Sequence, residues 1–193
     1  MTDLVLDAAR SRVRLQTFAE GLLARLAHDL ELACTNLSGT ASRAGKASAS
    51  ASASASTGTA SIEAPLRGII VAGVLCKDGR VDERSLSASE KSDAVIKMQH
   101  DVFHAHHDGV VRVEVQLDGS SARLCVAPPN GKSVEVVVRP ELSAEGEGLR
   151  ATGSFEISLA ALGSDVVKGP MNAFRVKDKV KVLFDVVFAP AEV

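Results

Sequence analysis

The chain has no tryptophan, no tyrosine and only six phenylalanines among its 193 residues. Base-stacking modules rely on aromatic platforms, as carbohydrate sites commonly do, and the composition argues against both. Positive charge is not concentrated either. Lys and Arg number 22 against 24 Asp and Glu, a net charge of −2, with no basic block, so nucleic acid is not an expected partner. No apolar run approaches the ~18 residues of a transmembrane helix. The opening stretch MTDLVLDAARSRV carries an acid where a secretory signal needs a basic patch, and no apolar segment follows. The expectation is a cytoplasmic protein. Cys34, Cys76 and Cys125 form no C-x-x-C pair. An odd count in a reducing compartment reads as free thiols rather than a disulfide framework.

What the chain does have is period-two alternation. Val13, Leu15 and Thr17 share one face of SRVRLQTF, opposite Arg12, Arg14 and Gln16. RLAHDLEL puts Leu26, His28, Leu30 and Leu32 together, opposite Asp29 and Glu31. Such alternation marks half-buried strands. It returns in VVRVEVQL (110–117), ARLCVAP, SVEVVVRP, LRATGSFEISL (149–159) and KVKVLFDVVF (179–188). DGSS and PPNGK supply turns, the second with an Asn-Gly hairpin signal. AEGLLA has the length of a turn between the first two strands. One segment changes period. Val95, Met98 and Val102 recur at helical spacing behind a Ser- and Glu-rich start, so one helix is expected near residues 86–103. Residues 47–56 are ASASASASAS, too small to pack, and a low-complexity Ala/Ser loop is expected at about 41–60.

The sum is a single mainly β domain over residues 1–193, antiparallel and hairpin-linked. Such a meander exposes two edges unless it closes, and closure into a barrel of eight or slightly more strands removes them. Alternation places Leu15, Leu30, Val113, Val115, Phe155, Ile157, Val182 and Phe184 on the inner face, with His28 among them. An imidazole there is either a core group bonded to backbone or a polar anchor for a ligand head group.

Four of five histidines fall in HDVFHAHH (100–107). His100 and His104 are i, i+4, a spacing that suits zinc, and His106 and His107 follow. The stretch is polar, no cysteine is near, and imidazoles at a helix C-terminus complement its dipole. A solvated helix end is the expected reading and a metal site the weaker one. Lys168, Asn172 and Arg175 in KGPMNAFR are either solvated loop residues or contacts for a phosphate or carboxylate at a barrel mouth. There is no Walker loop, nucleotide fingerprint, G-x-S-x-G or paired-carboxylate motif. No cofactor and no catalytic residue are assigned.

Three stretches occur in a familiar order: LVLDAARSRVRLQTFAEGLLARLAHDLEL, VIKMQHDVFHAHHDGVVRVEV and GSFEISLAALGSDVVKGPMNAFRVKDKVKVLFDVVF. Together they resemble the YceI-like family of lipid- or polyisoprenoid-binding proteins, over most of the chain except the Ala/Ser stretch. The resemblance implies an extended lipocalin-like antiparallel barrel with a long apolar tunnel for an isoprenoid chain. The expected function is therefore sequestration of an isoprenoid or fatty acyl lipid, without catalysis. Two alternatives remain: a structural or interaction protein with a side-chain-filled barrel, and a metal-binding protein or enzyme built on the histidine cluster.

Overall fold

A computed structural model describes residues 2–21, 27–44, 57–105, 108–169 and 174–191. The strands fall into eight long runs, several of them bent. The first is β1 (Thr2–Leu6) with β2 (Arg12–Thr17). The second is β4 (Leu30–Cys34) with β5 (Ser38–Ala44), and the third β6 (Thr57–Pro65) with β7 (Ile69–Leu75). Next come β9 (Val110–Asp118) and β10 (Ser121–Ala127), then β11 (Val134–Val138) with β12 (Glu141–Glu145). The last two are β13 (Gly148–Ser158) and β15 (Lys179–Pro190). Each run pairs antiparallel with the next. β15 returns to β1 and β2, which closes the order. The expected eight-stranded antiparallel barrel is what the chain builds, as a strongly curled sheet.

The bends have local causes. Between β1 and β2 the Asp7 carboxylate accepts the N–H groups of Ala9 and Arg10 at 3.0 and 3.1 Å, an Asx-type turn. Asn36, at φ 58°, breaks the run between β4 and β5. A 3-10 turn, Leu66–Gly68, separates β6 from β7. Pro140 lies between β11 and β12 and has no N–H for a ladder. β11 accordingly pairs with β10, and β12 with β13.

Strand pairing lapses in two places. None forms between β11 and Gly153–Ser158 of β13. Beyond β7 there is only the short β8 (Val81–Asp82), and the helix α1 (Ala88–Asp101) packs there instead of a strand. Ser87 caps α1: its hydroxyl accepts the Glu90 N–H at 3.3 Å, while the Glu90 carboxylate accepts the Ser87 N–H at 2.8 Å. This reciprocal box satisfies two end donors. Ala94, Val95 and Met98 turn toward Leu32, Ile69 and Val71, and Val102 and Phe103 complete the seal. The helix falls where the sequence predicts.

Two expectations need correction. The Ala/Ser loop is shorter than 41–60. β5 and β6 pair as far as Ala44↔Thr57, and β1 and β9 flank them. With neighbours on both sides the backbone groups gain ladder partners, which compensates for small side chains. Residues 45–56, including the ASASASASAS run, lie outside the described residues. AEGLLA is also more than a turn. β3 (Ala19–Glu20) pairs with β14 (Arg175–Val176) in a separate two-stranded sheet; residues 22–26, Leu26 among them, lie outside the described residues.

Candidate functional site

Among the described residues, two apolar chambers open inside the barrel. The first, of about 170 Å³, is walled by alternate residues of nearly every run. These include Leu4, Val13, Ile62, Val113, Val115, Leu124, Val182, Phe184 and Phe188, with Phe155 facing Phe184 at 6.3 Å between ring centroids. The rings are tilted by 49°, an arrangement suited to aromatic quadrupoles. Ser42, Arg43 and Thr59 are the polar side chains among its lining residues.

The second chamber, of about 240 Å³, lies at the helix end of the barrel. Leu15, Leu30, Leu32 and Val180 form its sheet side. Ala94, Met98, Val102 and Phe103 form its helix side, and Leu159, Val167, Phe174 and Val176 close it. Neighbouring inward residues serve different chambers: Val13 and Val182 line the first, Leu15 and Val180 the second. These four pack with buried Val126 and Ile157 in one cluster. Ile157, expected as a lining residue, lines neither chamber and packs in this cluster, opposite Val180 on the neighbouring strand.

Backbone contacts hold the far wall of the second chamber. The N–H of Gly169 donates to the Phe174 carbonyl, and that of Val176 to the Val167 carbonyl, each at 2.9 Å. A Cβ at Gly169 would fall 2.4 Å from the Phe174 ring, so any larger residue there would force the ring to shift. The Lys177 ammonium sits 5.7 Å from the Phe18 ring centroid. Asp101 joins helix to wall: its carbonyl accepts the N–H of Asp165 and the hydroxyl of Ser164. Its carboxylate takes Lys97 Nζ at 2.5 Å and faces His100 Nδ1 at 2.9 Å. The Lys97 hydrogen bond above all, with His100 beside it, holds the Asp101 carboxyl below the usual carboxylate range.

The polar candidates disperse. His28 is exposed to solvent and lines neither chamber, contrary to the expected inward position. β4 begins only at Leu30, because the segment before it is held by other bonds: the Asp29 carboxylate accepts the Ala19 N–H and its carbonyl the Leu75 N–H, both at 2.8 Å. Arg175 is paired with Glu20 at 2.6 Å rather than directed into a chamber. Lys168 does line the second chamber. Asn172 lies outside the described residues, as do His106 and His107. His100 is 87% exposed at its side chain. His104, at φ 46°, is bonded through Nε2 to the Gly163 carbonyl at 3.1 Å. Among the described residues no three His, Cys, Asp or Glu side chains converge as a metal site.

Sequence reasoning missed the helix contribution from Met98 and Phe103, and the wall residues Val167, Phe174 and Val176. The helical period pointed to Met98 as inward; nothing in the local pattern around Phe174 did.

No family model matches the sequence, and no characterised protein matches it at a significant level. The solved structures include one similar in shape. The crystal structure of Burkholderia cenocepacia BcnA aligns with a TM-score of 0.59, over 94% of this chain and 98% of BcnA, at 15% identity. The two chains share a fold. No helix among the described residues is long and apolar enough to cross a membrane.

Proposed function

We propose that this protein is a binding or carrier protein that sequesters an apolar chain, an isoprenoid or a fatty acyl group, inside its barrel. The observation that carries the reading is the first chamber: open space walled by aliphatic and phenyl side chains in the middle of a barrel. Each ligand methylene removed from water contributes about 0.8 kcal/mol, enough for a long chain to bind tightly after association costs. The order of motifs resembling the YceI-like family points the same way, and the fold shared with BcnA is compatible with it. Binding without catalysis is the accompanying reading, since neither chamber is lined by a described His, Cys, Asp or Glu.

The packed cluster around Ile157 favours a second reading, a barrel filled by its own side chains. Native mass spectrometry after gentle purification separates the two. Added mass of several hundred daltons, lost on organic extraction and regained with an isoprenoid alcohol or fatty acid, is the expected result. A bare chain that takes up neither, and shows no saturable binding of an apolar dye, overturns the carrier reading.

A further inference from the structure

Two lysines stand among the lining residues of the second chamber. Among the described residues the only charged side chains lining it are Lys97 and Lys168. Lys97 is committed to Asp101. Lys168 forms no ion pair or side-chain hydrogen bond among the described residues, and its backbone is fixed beside Gly169, where the chain pairs back on Phe174–Val176. The apolar lining includes Leu30, Met98, Phe103 and Val180. An exposed lysine with no ion pair among the described residues, beside an apolar space of about 240 Å³, suits a short-chained amphiphile whose head is anionic.

We propose that the second chamber is a separate binding site for a small anionic amphiphile, a carboxylate- or phosphate-headed alkyl chain. Its head lies at Lys168 and its tail among Met98, Phe103 and Val180. Ammonium-to-oxyanion bonds are charge-assisted and stronger than neutral ones, so the head group decides affinity between chains of equal length. The inference rests on the carrier reading only in treating the barrel as hollow. It adds that the interior is two sites rather than one.

The test uses decanoate, decyl phosphate and decanol in titration calorimetry with the full chain. Because the protein has no tryptophan, Phe184→Trp places a single indole reporter in the first chamber. One equivalent of decanoate or decyl phosphate should bind at least about tenfold more tightly than decanol. The tighter anion identifies the head group. Lys168→Gln should weaken the anions about three- to tenfold and leave decanol unchanged, and Lys168→Arg should restore them. The indole emission of the Phe184→Trp variant should not follow the anions. Equal affinity for anion and alcohol, or an inert Lys168→Gln, overturns the head-group assignment. An emission shift that tracks decanoate binding overturns the separate site. Absence of anion binding while an apolar dye still saturates the first chamber also overturns it and leaves the carrier reading standing; if the dye fails as well, both fall.

Discussion

The hydroxyl of Ser11 accepts the backbone N–H of Val187 at 3.0 Å, across the bend that joins β1 to β2. Ser11 is 3% exposed and Val187 2%. The Asp7 N–H donates to the Val187 carbonyl at 2.8 Å. β15 passes from pairing with β2 to pairing with β1 at this point, and the serine supplies the acceptor that the interrupted ladder lacks. Ser11→Ala leaves a buried N–H without a partner, which costs about 1–3 kcal/mol. Urea unfolding should show that loss, with an unchanged denaturant slope. A change within about 0.5 kcal/mol, typical of indifferent surface sites, would mean that Val187 finds another acceptor.

Phe184 and Asp185 are neighbours on opposite faces of β15. Phe184 lines the first chamber, while Asp185 forms a two-bond pair with Arg150 at 2.7 and 2.6 Å on the outside. Phe184→Ala should weaken saturable binding of an apolar dye, and Asp185→Ala should not. The Arg150 hydrogen bonds hold the Asp185 carboxyl below its ordinary value. A lowered folded-state value stabilises the fold above the ordinary carboxylate range, and that stabilisation is lost as pH falls through the folded value. Asp185→Ala should therefore cost no more than about 1 kcal/mol at neutral pH, since the pair is partly exposed, and the difference should shrink in acid. Equal loss of dye binding in both variants would show that the strand faces are assigned the wrong way round.

Deleting residues 47–56 should preserve the barrel. The last pair of the β5–β6 hairpin is Ala44↔Thr57, so the deletion leaves Gly45-Lys46 between paired strands. A two-residue connection opening on glycine fits a type II′ hairpin turn. Shortening the connection also lowers its closure entropy, by at most about 1.5 kcal/mol. Melting curves should show a midpoint at or above that of the intact chain. Insoluble protein would show that the Ala/Ser run is an integral part of the sheet.

Cys34 packs between the Leu32–Ile69 cluster and the Leu37–Phe188 cluster. Burial pushes its thiol up to about 12 from an ordinary 9.0. The thiolate is the reactive form, so iodoacetamide in mildly alkaline buffer should alkylate Cys34 last of the three cysteines. The unfolded thiol ionises near 9.0 while the folded one resists until about 12. The unfolded state then holds fewer protons, and stability falls as pH rises across that window. Cys34→Ala should flatten this alkaline decline. Rapid labelling of Cys34 in the native protein would contradict its burial.

Much of the barrel was legible because alternation is a local property. Val13 and Leu15, Val113 and Val115, and Val182 and Phe184 all face inward as their spacing indicates. Each lies within a ladder whose register fixes both faces at once. His28 misled because alternation cannot show where pairing stops. The Leu-x-Leu pattern of Leu30 and Leu32 extends back through His28 in the sequence, but there the Asp29 carboxylate takes the Ala19 N–H and the Asp29 carbonyl the Leu75 N–H instead. Phe174 was obscure for another reason: its place depends on its close approach to Gly169, between residues with no periodic signature.

The sequence by itself determined the antiparallel barrel, the single helix near α1 and the inner face of most strands, because period, capping and turn chemistry act over a few residues. Only the tertiary structure decided where the open space of the interior lies, and which residues line it at mid-barrel and at the helix end. That outcome depends on Val126, Ile157, Val180 and Val182 packing in one cluster with Val13 and Leu15. It also depends on α1 standing where a strand partner for β7 would be. Both are contacts between residues far apart in the chain, and packing volume, which no local pattern encodes, sets what space is left.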